Sequence, residues 1–412
     1  MDLIDDSENR SANPRIAAGA DTIGKIIERR LSRRGFLGGL TAVSGLALAA
    51  CAGRPEDAAA AATQEMKRPH PAFSFPEIAR GLDQTHHVAE GYRAEILLRW
   101  GDPLFADSPT FDPLNQTAEA QRRQFGYNCD YVGFVPLDPD TDGAPRGLLC
   151  VNHEYTSTNL MFPGVTAGYP ASVTREIALT EIAAHGGSIA EIRRTADGWK
   201  PVIDSPFNRR LTADTPMQLT GPAAGHPRLV TAEDPTGSAV LGTLNNCAGG
   251  ITPWGTYLMA EENINGNFLG ALPEGHPEAD NHKRMGVPGG WYQWGRYLDR
   301  FDISKEPNEP NRFGWIVEVD PKDPASTPKK RTALGRFKHE GAESVVAPDG
   351  RVVLYSGDDQ RFDYVYKFVT KDRFIPGETT SDSNLLDEGT LYCARFNEDG
   401  TLTWLPLVFG TG

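Results

Sequence analysis

The stretch Glu343-Ser344-Val345-Val346-Ala347, Pro348-Asp349-Gly350, Arg351-Val352-Val353-Leu354-Tyr355 reads as a strand, a tight turn and a second strand. β-Branched and aromatic residues fill both runs, and Pro-Asp-Gly between them supplies a fixed φ followed by a residue free to turn. The same pattern recurs outward from it. Residues 147–151, 315–319, 364–369 and 390–394 are short apolar runs, punctuated by turns such as Asp320-Pro321 and Glu398-Asp399-Gly400. This strand density predicts an all-β fold, a β-propeller with long inserted loops and minor helices, with a long-looped β-sandwich as the alternative. No clean repeat of about forty residues supports the propeller directly. One helix is expected over residues 170–184, with Ser172 as cap and Ile177, Leu179 and Ile182 facing inward. Residues 266–312, rich in Gly, Pro, Asn and aromatics, are expected to form a functional loop or lid.

The first fifty residues carry an address. Ser32-Arg33-Arg34-Gly35-Phe36-Leu37 followed by an apolar run to Ala50 is a twin-arginine export signal, too short and too weakly apolar for a membrane span. Leu48-Ala49-Ala50-Cys51 also fits a lipobox, so membrane attachment is expected only through a lipid on Cys51, with plain cleavage near Ala50 as the alternative. The organisation expected is therefore a signal over 1–51, a linker over 52–75 and a β domain over 76–412, in a periplasmic or extracellular protein that engages the twin-arginine translocation machinery.

The 412 residues carry a net charge of −14, which argues against nucleic acid as a partner. Of five cysteines, Cys129, Cys150, Cys247 and Cys393 lie beyond the signal and linker. They allow two disulfides outside the cytoplasm, and no close CxxC spacing marks a zinc site or redox pair.

Chemistry concentrates around Asn245-Asn246-Cys247-Ala248-Gly249-Gly250, which leads into a β-like segment ending at Glu261-Glu262-Asn263. A buried structural cysteine is the commoner fate of such a residue. Two successive carboxylates at a strand end shift the balance, because buried glutamates require a cation or an arginine. A soft thiolate beside hard carboxylates makes a first shell for metal. Acidic groups recur at strand ends in Asn152-His153-Glu154-Tyr155, Lys338-His339-Glu340-Gly341 and Ser356-Gly357-Asp358-Asp359. Singly, each is most often a turn or a solvated surface. Together they are the kind of oxygen-rich set that calcium takes from several strand ends.

These motifs, with Thr252-Pro253-Trp254-Gly255-Thr256, Pro307-Asn308-Glu309 and Asn311-Arg312-Phe313-Gly314-Trp315, resemble the PhoX family of alkaline phosphatases, in one order from about Phe125 onward. The resemblance implies an exported β-propeller that hydrolyses phosphate monoesters with an iron–calcium cluster in its central channel. It implies Cys247 as the thiolate ligand of iron, Glu340 as a carboxylate ligand, Glu262 as a further ligand of calcium, and Glu261 as a second candidate for that role. Asp358 or Asp359 adds to the shell; Asn152, His153, Glu154, Asn246 and His339 match as motif residues without an assigned role. Such chemistry needs positive charge over the phosphoryl oxygens and an activated oxygen nucleophile, so Cys247 is read as a ligand, and no catalytic side chain is assigned.

Family members continue beyond the point matching Gly412, with closing blades and an Arg-Pro-Glu motif, so the resemblance also implies a C-terminally incomplete propeller. Two other readings stand beside the phosphatase: a calcium-dependent propeller hydrolase of lactonase or phosphotriesterase type, and an exported binding protein with an inactive site.

Overall fold

The computed structural model describes residues 76–410. The twin-arginine signal, Cys51 and the linker lie outside the described residues. The chain divides into two units, Met1–Ala94 and Glu95–Gly412. The described part of the first, residues 76–94, contains no helix or strand; all elements belong to the second.

That unit is mostly sheet, as expected. A five-stranded antiparallel sheet has the order β1 (Cys129–Leu137), β2 (Arg146–His153), β3 (Gly186–Thr195), β4 (Gly198–Pro201), with β5 (Arg209–Leu211) also pairing β3. The second sheet, of six strands, is built from β6 (Pro216–Thr220), β7 (Ala239–Leu241), β8 (Asn246–Ile251), β9 (Tyr257–Glu261), β10 (Ile316–Val319) and β11 (Lys329–Arg331), ordered β7-β6-β11-β10-β9-β8. The third is a five-stranded meander of β12 (His339–Val346), β13 (Arg351–Asp358), β14 (Val365–Arg373), β15 (Gly389–Phe396) and β16 (Leu402–Pro406). The strand–turn–strand at 343–355 is the β12–β13 hairpin. Among the described residues no sheet closes on itself, and the three separate sheets are not the two layers of a sandwich.

Among the described residues the α-helices are few: α1 (Ala118–Gln121), α2 (Thr158–Met161), α3 (Arg175–Ala184) and α4 (Ala279–Met285). The expected helix over 170–184 is α3 and starts later than expected. Thr174, not Ser172, caps it by accepting a hydrogen bond from the Ile177 amide, while the Ser172 hydroxyl bonds the Val165 carbonyl. The expected lid over 266–312 is a packed insertion. Its Phe268, Trp294 and Phe301 are buried with Phe313 in the largest hydrophobic cluster, beside Tyr257 and Met259. Glycine-rich sequence reads as a loop, but this segment's aromatics supply core.

The edge strand β8 lies against both β1 and β12, the edge strands of the other two sheets. The Gly249-Gly250 pair makes this approach feasible. A Cβ on Gly250 would stand 2.1 Å from the Ala342 carbonyl oxygen of β12, and one on Gly249 3.1 Å from the Tyr131 ring of β1. The Ser344 hydroxyl bonds the Ile251 carbonyl at 3.2 Å, tying β12 to β8. The four cysteines of the described residues are free thiols, so the disulfides the sequence allowed are not formed.

Candidate metal centre

Each of the three edge strands pairs with the next strand of its sheet through a register that slips by one residue at its start. Cys129 faces His153 but Val132 faces Val151; Asn246 faces Glu261 but Gly249 faces Met259; His339 faces Asp358 but Glu343 faces Tyr355. These are β-bulges, which insert an extra residue and re-aim the side chains around it. The residue after the first pair is Asp130, Cys247 or Glu340. The residue after its partner is Glu154, Glu262 or Asp359.

One backbone hydrogen bond repeats in all three places: Glu154 amide to Asn128 carbonyl at 3.2 Å, Glu262 to Asn245 at 3.0 Å, and Asp359 to Lys338 at 3.1 Å. Three hairpin ends of the same construction therefore deliver two acidic side chains each to one place.

Ligand atoms of Asp130, Glu154 and Cys247 all lie within 4.8 Å of one another. The Cys247 thiol stands 3.7 Å from Asp130 Oδ2 and 3.9 Å from Glu340 Oε1. Asp359 lies close enough to Glu262 and Glu340 to raise the proton affinity of both, after burial. Cys247 and Glu262 are buried and Glu154 is half-buried, whereas Asp130, Glu340 and Asp359 are exposed, so the group is open on one side.

Among the described residues none of these six acids closes an ion pair, and the proton affinities of Glu262, Glu154 and Cys247 record it. Burial first, then Asp359, Glu154 and Glu340, pushes Glu262 up to about 9. Burial, Asp130 and Glu340 push Glu154 up to about 7. Burial, then Glu262, Asp130 and Glu154, hold the Cys247 thiol far above its ordinary range. Mutual repulsion of buried acids without a cation is costly to the fold, and a bound cation removes that cost.

Supports reach this centre from below. The Asn152 amide donates to the Cys247 carbonyl at 2.5 Å and to the Ala248 carbonyl at 3.2 Å, and its oxygen accepts from the Tyr257 hydroxyl. Asn128 Nδ2 donates to Glu154 Oε2 at 3.5 Å. Asn246 bonds the Thr243 hydroxyl at 2.6 Å. Replacing Asn152 by Ala is expected to cost about 2–3 kcal/mol, because two buried carbonyls lose their donor, and to weaken metal binding roughly 10–100-fold as the Cys247 bulge loosens. Thermal melts and a metal titration of the variant check both.

Two residues offered as ligands, Glu261 and Asp358, and two motif residues without an assigned role, His153 and His339, make their contacts elsewhere. Glu261 points the opposite way from Glu262. It accepts from the Gly314 and Trp315 amides at 3.0 and 3.1 Å and pairs with buried Lys330 at 2.8 Å, which makes it a structural counter-ion and not a ligand. Asp358 turns from the cluster to Arg284 at 3.2 Å, so that Asp359 is the member of the pair that stands with the other acids. His153 bonds the Ser188 hydroxyl of β3 at 2.7 Å, and His339 bonds Ser356 at 2.9 Å and the Gly335 carbonyl at 3.0 Å. Both rings are buried, and burial lowers the basicity of each. Asp130 was missed, because Asn128-Cys129-Asp130 looks like an ordinary strand entry. Its signal was the match in position to Asn245-Asn246-Cys247 and Lys338-His339-Glu340.

A family model described as alkaline phosphatase PhoX matches residues 73–412. A solved structure of Pseudomonas fluorescens PhoX in complex with vanadate, a transition state analogue, is similar with a TM-score of 0.76 and 39% sequence identity. The similarity covers 82% of this chain and 58% of that one, so the chain spans less than two-thirds of the length of that relative. No curated protein matches significantly. A match over all the described residues, together with a relative of this identity whose fold is shared, means that the chain belongs to the PhoX family.

Proposed function

We propose that this chain is a metal-dependent phosphatase that hydrolyses phosphate monoesters, with iron and calcium as its cations and the three sheets as blades of a propeller around them. The observation that carries this reading is the convergence of one thiol and five carboxylates, without an ion pair, on three equivalent bulged hairpins. The donor set fits the cations. Cys247 with Asp130 and Glu154 is the mixed soft and hard set that suits iron, and Glu262, Glu340 and Asp359 are the hard oxygens that suit calcium. When bound, the cations would supply Lewis acidity toward the phosphoryl oxygens and the attacking water.

The residues of the chain do the rest. Asn152 fixes the Cys247 bulge; the Lys330–Glu261 strut holds the end of β9, from which Glu262 projects; and the exposed side formed by Asp130, Glu340 and Asp359 admits the substrate. A thiol among the ligands favours this over a calcium-only propeller hydrolase. Twin-arginine export to the periplasm or beyond, with or without a lipid on Cys51, completes the proposal and agrees with a protein that folds around its metal before crossing the membrane.

The test is hydrolysis of a chromogenic phosphate monoester by the chain loaded with iron and calcium, beside a Cys247→Ser variant, with metal content measured in both. The variant is expected to lose its iron and at least about 100-fold in rate. A variant that keeps full activity and unchanged iron would overturn the assignment of Cys247. A loaded, folded wild-type chain without turnover would favour the binding-protein reading.

A further inference from the structure

The three hairpin ends are built alike except at one position. Asn128, Asn245 and Lys338 each offer the backbone carbonyl that accepts from the opposite ligand's amide, but only the third carries a charge. The two asparagines spend their side chains on Glu154: Asn128 on its carboxylate, Asn245 on its carbonyl at 3.5 Å. Lys338 is used differently. It sits beside Asp359, whose amide donates to the Lys338 carbonyl at 3.1 Å; its half-buried side chain lies within the charge influence of Glu262, Asp358 and Asp359 and closes neither a hydrogen bond nor an ion pair among the described residues. Asp358 is already engaged by Arg284 at 3.2 Å, and Gln360 donates to it at 3.0 Å.

A lysine serving as counter-ion to this cluster would be expected to close onto a carboxylate, as Lys330 does on Glu261 at 2.8 Å. A lysine left with three open donors on the exposed Asp359 side of a cation-binding cluster is placed for an anion that the cations also hold. We infer that Lys338 binds the phosphate group of the substrate, as a point-charge contact to a phosphoryl oxygen on the open side of the centre. This rests on the phosphatase reading, and it names a residue outside the ligand set for substrate recognition.

The experiment is calorimetric titration of the iron- and calcium-loaded chain with inorganic phosphate and with orthovanadate, on wild type, Lys338→Met and Lys338→Arg, with metal content measured for each. Wild type is expected to bind both anions. Lys338→Met is expected to bind them about 10–100-fold more weakly at unchanged metal content, with a correspondingly raised KM, and Lys338→Arg to recover much of the loss. Equal affinity in Lys338→Met would overturn the inference. So would a variant that loses metal but, once refilled to wild-type content, binds the anions as tightly, because Lys338 would then act on the metals alone. A wild-type chain that holds its metals yet binds neither anion overturns the phosphatase reading and this inference with it, while a wild-type chain that takes up no metal strikes at the centre itself.

Discussion

Lys330→Met is expected to destabilise the fold by about 3–5 kcal/mol, the cost of removing one partner from a buried ion pair. Lys330 is fully buried, and its ammonium touches three things: Glu261 at 2.8 Å, the Arg312 carbonyl at 2.9 Å, and the face of Phe313, whose centroid is 3.9 Å away. Without it, Glu261 keeps the Gly314 and Trp315 amides but has lost its counter-charge in a dry environment. The effect should not stay local. Glu261 closes β9, and Glu262 follows it directly into the metal centre, so the variant should also bind calcium less tightly. A Glu261→Gln/Lys330→Met double variant should recover most of the stability, because no orphaned charge remains. Urea unfolding of the three proteins measures this. A single-variant shift below about 1 kcal/mol would mean that the pair is not the strut described here.

The pair also shows where sequence reading stops. Glu261-Glu262 and Asp358-Asp359 each looked like two candidate ligands. In an extended chain, successive side chains point to opposite faces, so one residue of each pair had to turn away. The same alternation sends His153 and His339 inward while Glu154 and Glu340 reach the centre. That much was available from the sequence, once the strand ends were known. Which member of each pair faces the cluster was not, because it depends on three one-residue bulges that leave no composition signal of their own.

The strands themselves were legible, since β-branched runs between turn residues survive without any knowledge of topology. The repeat of the hairpin ends was not. Insertions of different length separate it: α2 and α3 follow Glu154, and the aromatic-rich segment follows Glu262. Asp130 was lost with it. Once the hairpins are superposed in register, Asp130 occupies the place of Cys247 and Glu340, and the site becomes a repeated device with one soft ligand among hard ones.

That device predicts opposite pH dependences for the metal-free and metal-loaded protein. In the unfolded chain, Glu262 and Glu154 titrate near 4.5; in the fold they are raised to about 9 and about 7. Between these limits the folded state holds more protons than the unfolded one, so the slope of stability against pH is negative. The contribution is whole below about pH 4.5 and is lost as pH rises through 7 and then 9. With one unit worth about 1.4 kcal/mol, the two groups together should lose roughly 7 kcal/mol between pH 5 and 9. Bound calcium and iron hold the same carboxylates ionised at every pH in this window, so protons then compete with metal and the loaded protein should gain stability as pH rises. Urea melts at pH 5, 7 and 9, with chelator and with added calcium and iron, separate the two. Subtracting one curve from the other cancels carboxylates elsewhere, such as Glu278, whose proton affinity the fold lowers. Curves that fan apart with rising pH locate the cations on the raised carboxylates. Parallel curves would show that whatever the protein binds, it does not bind it there.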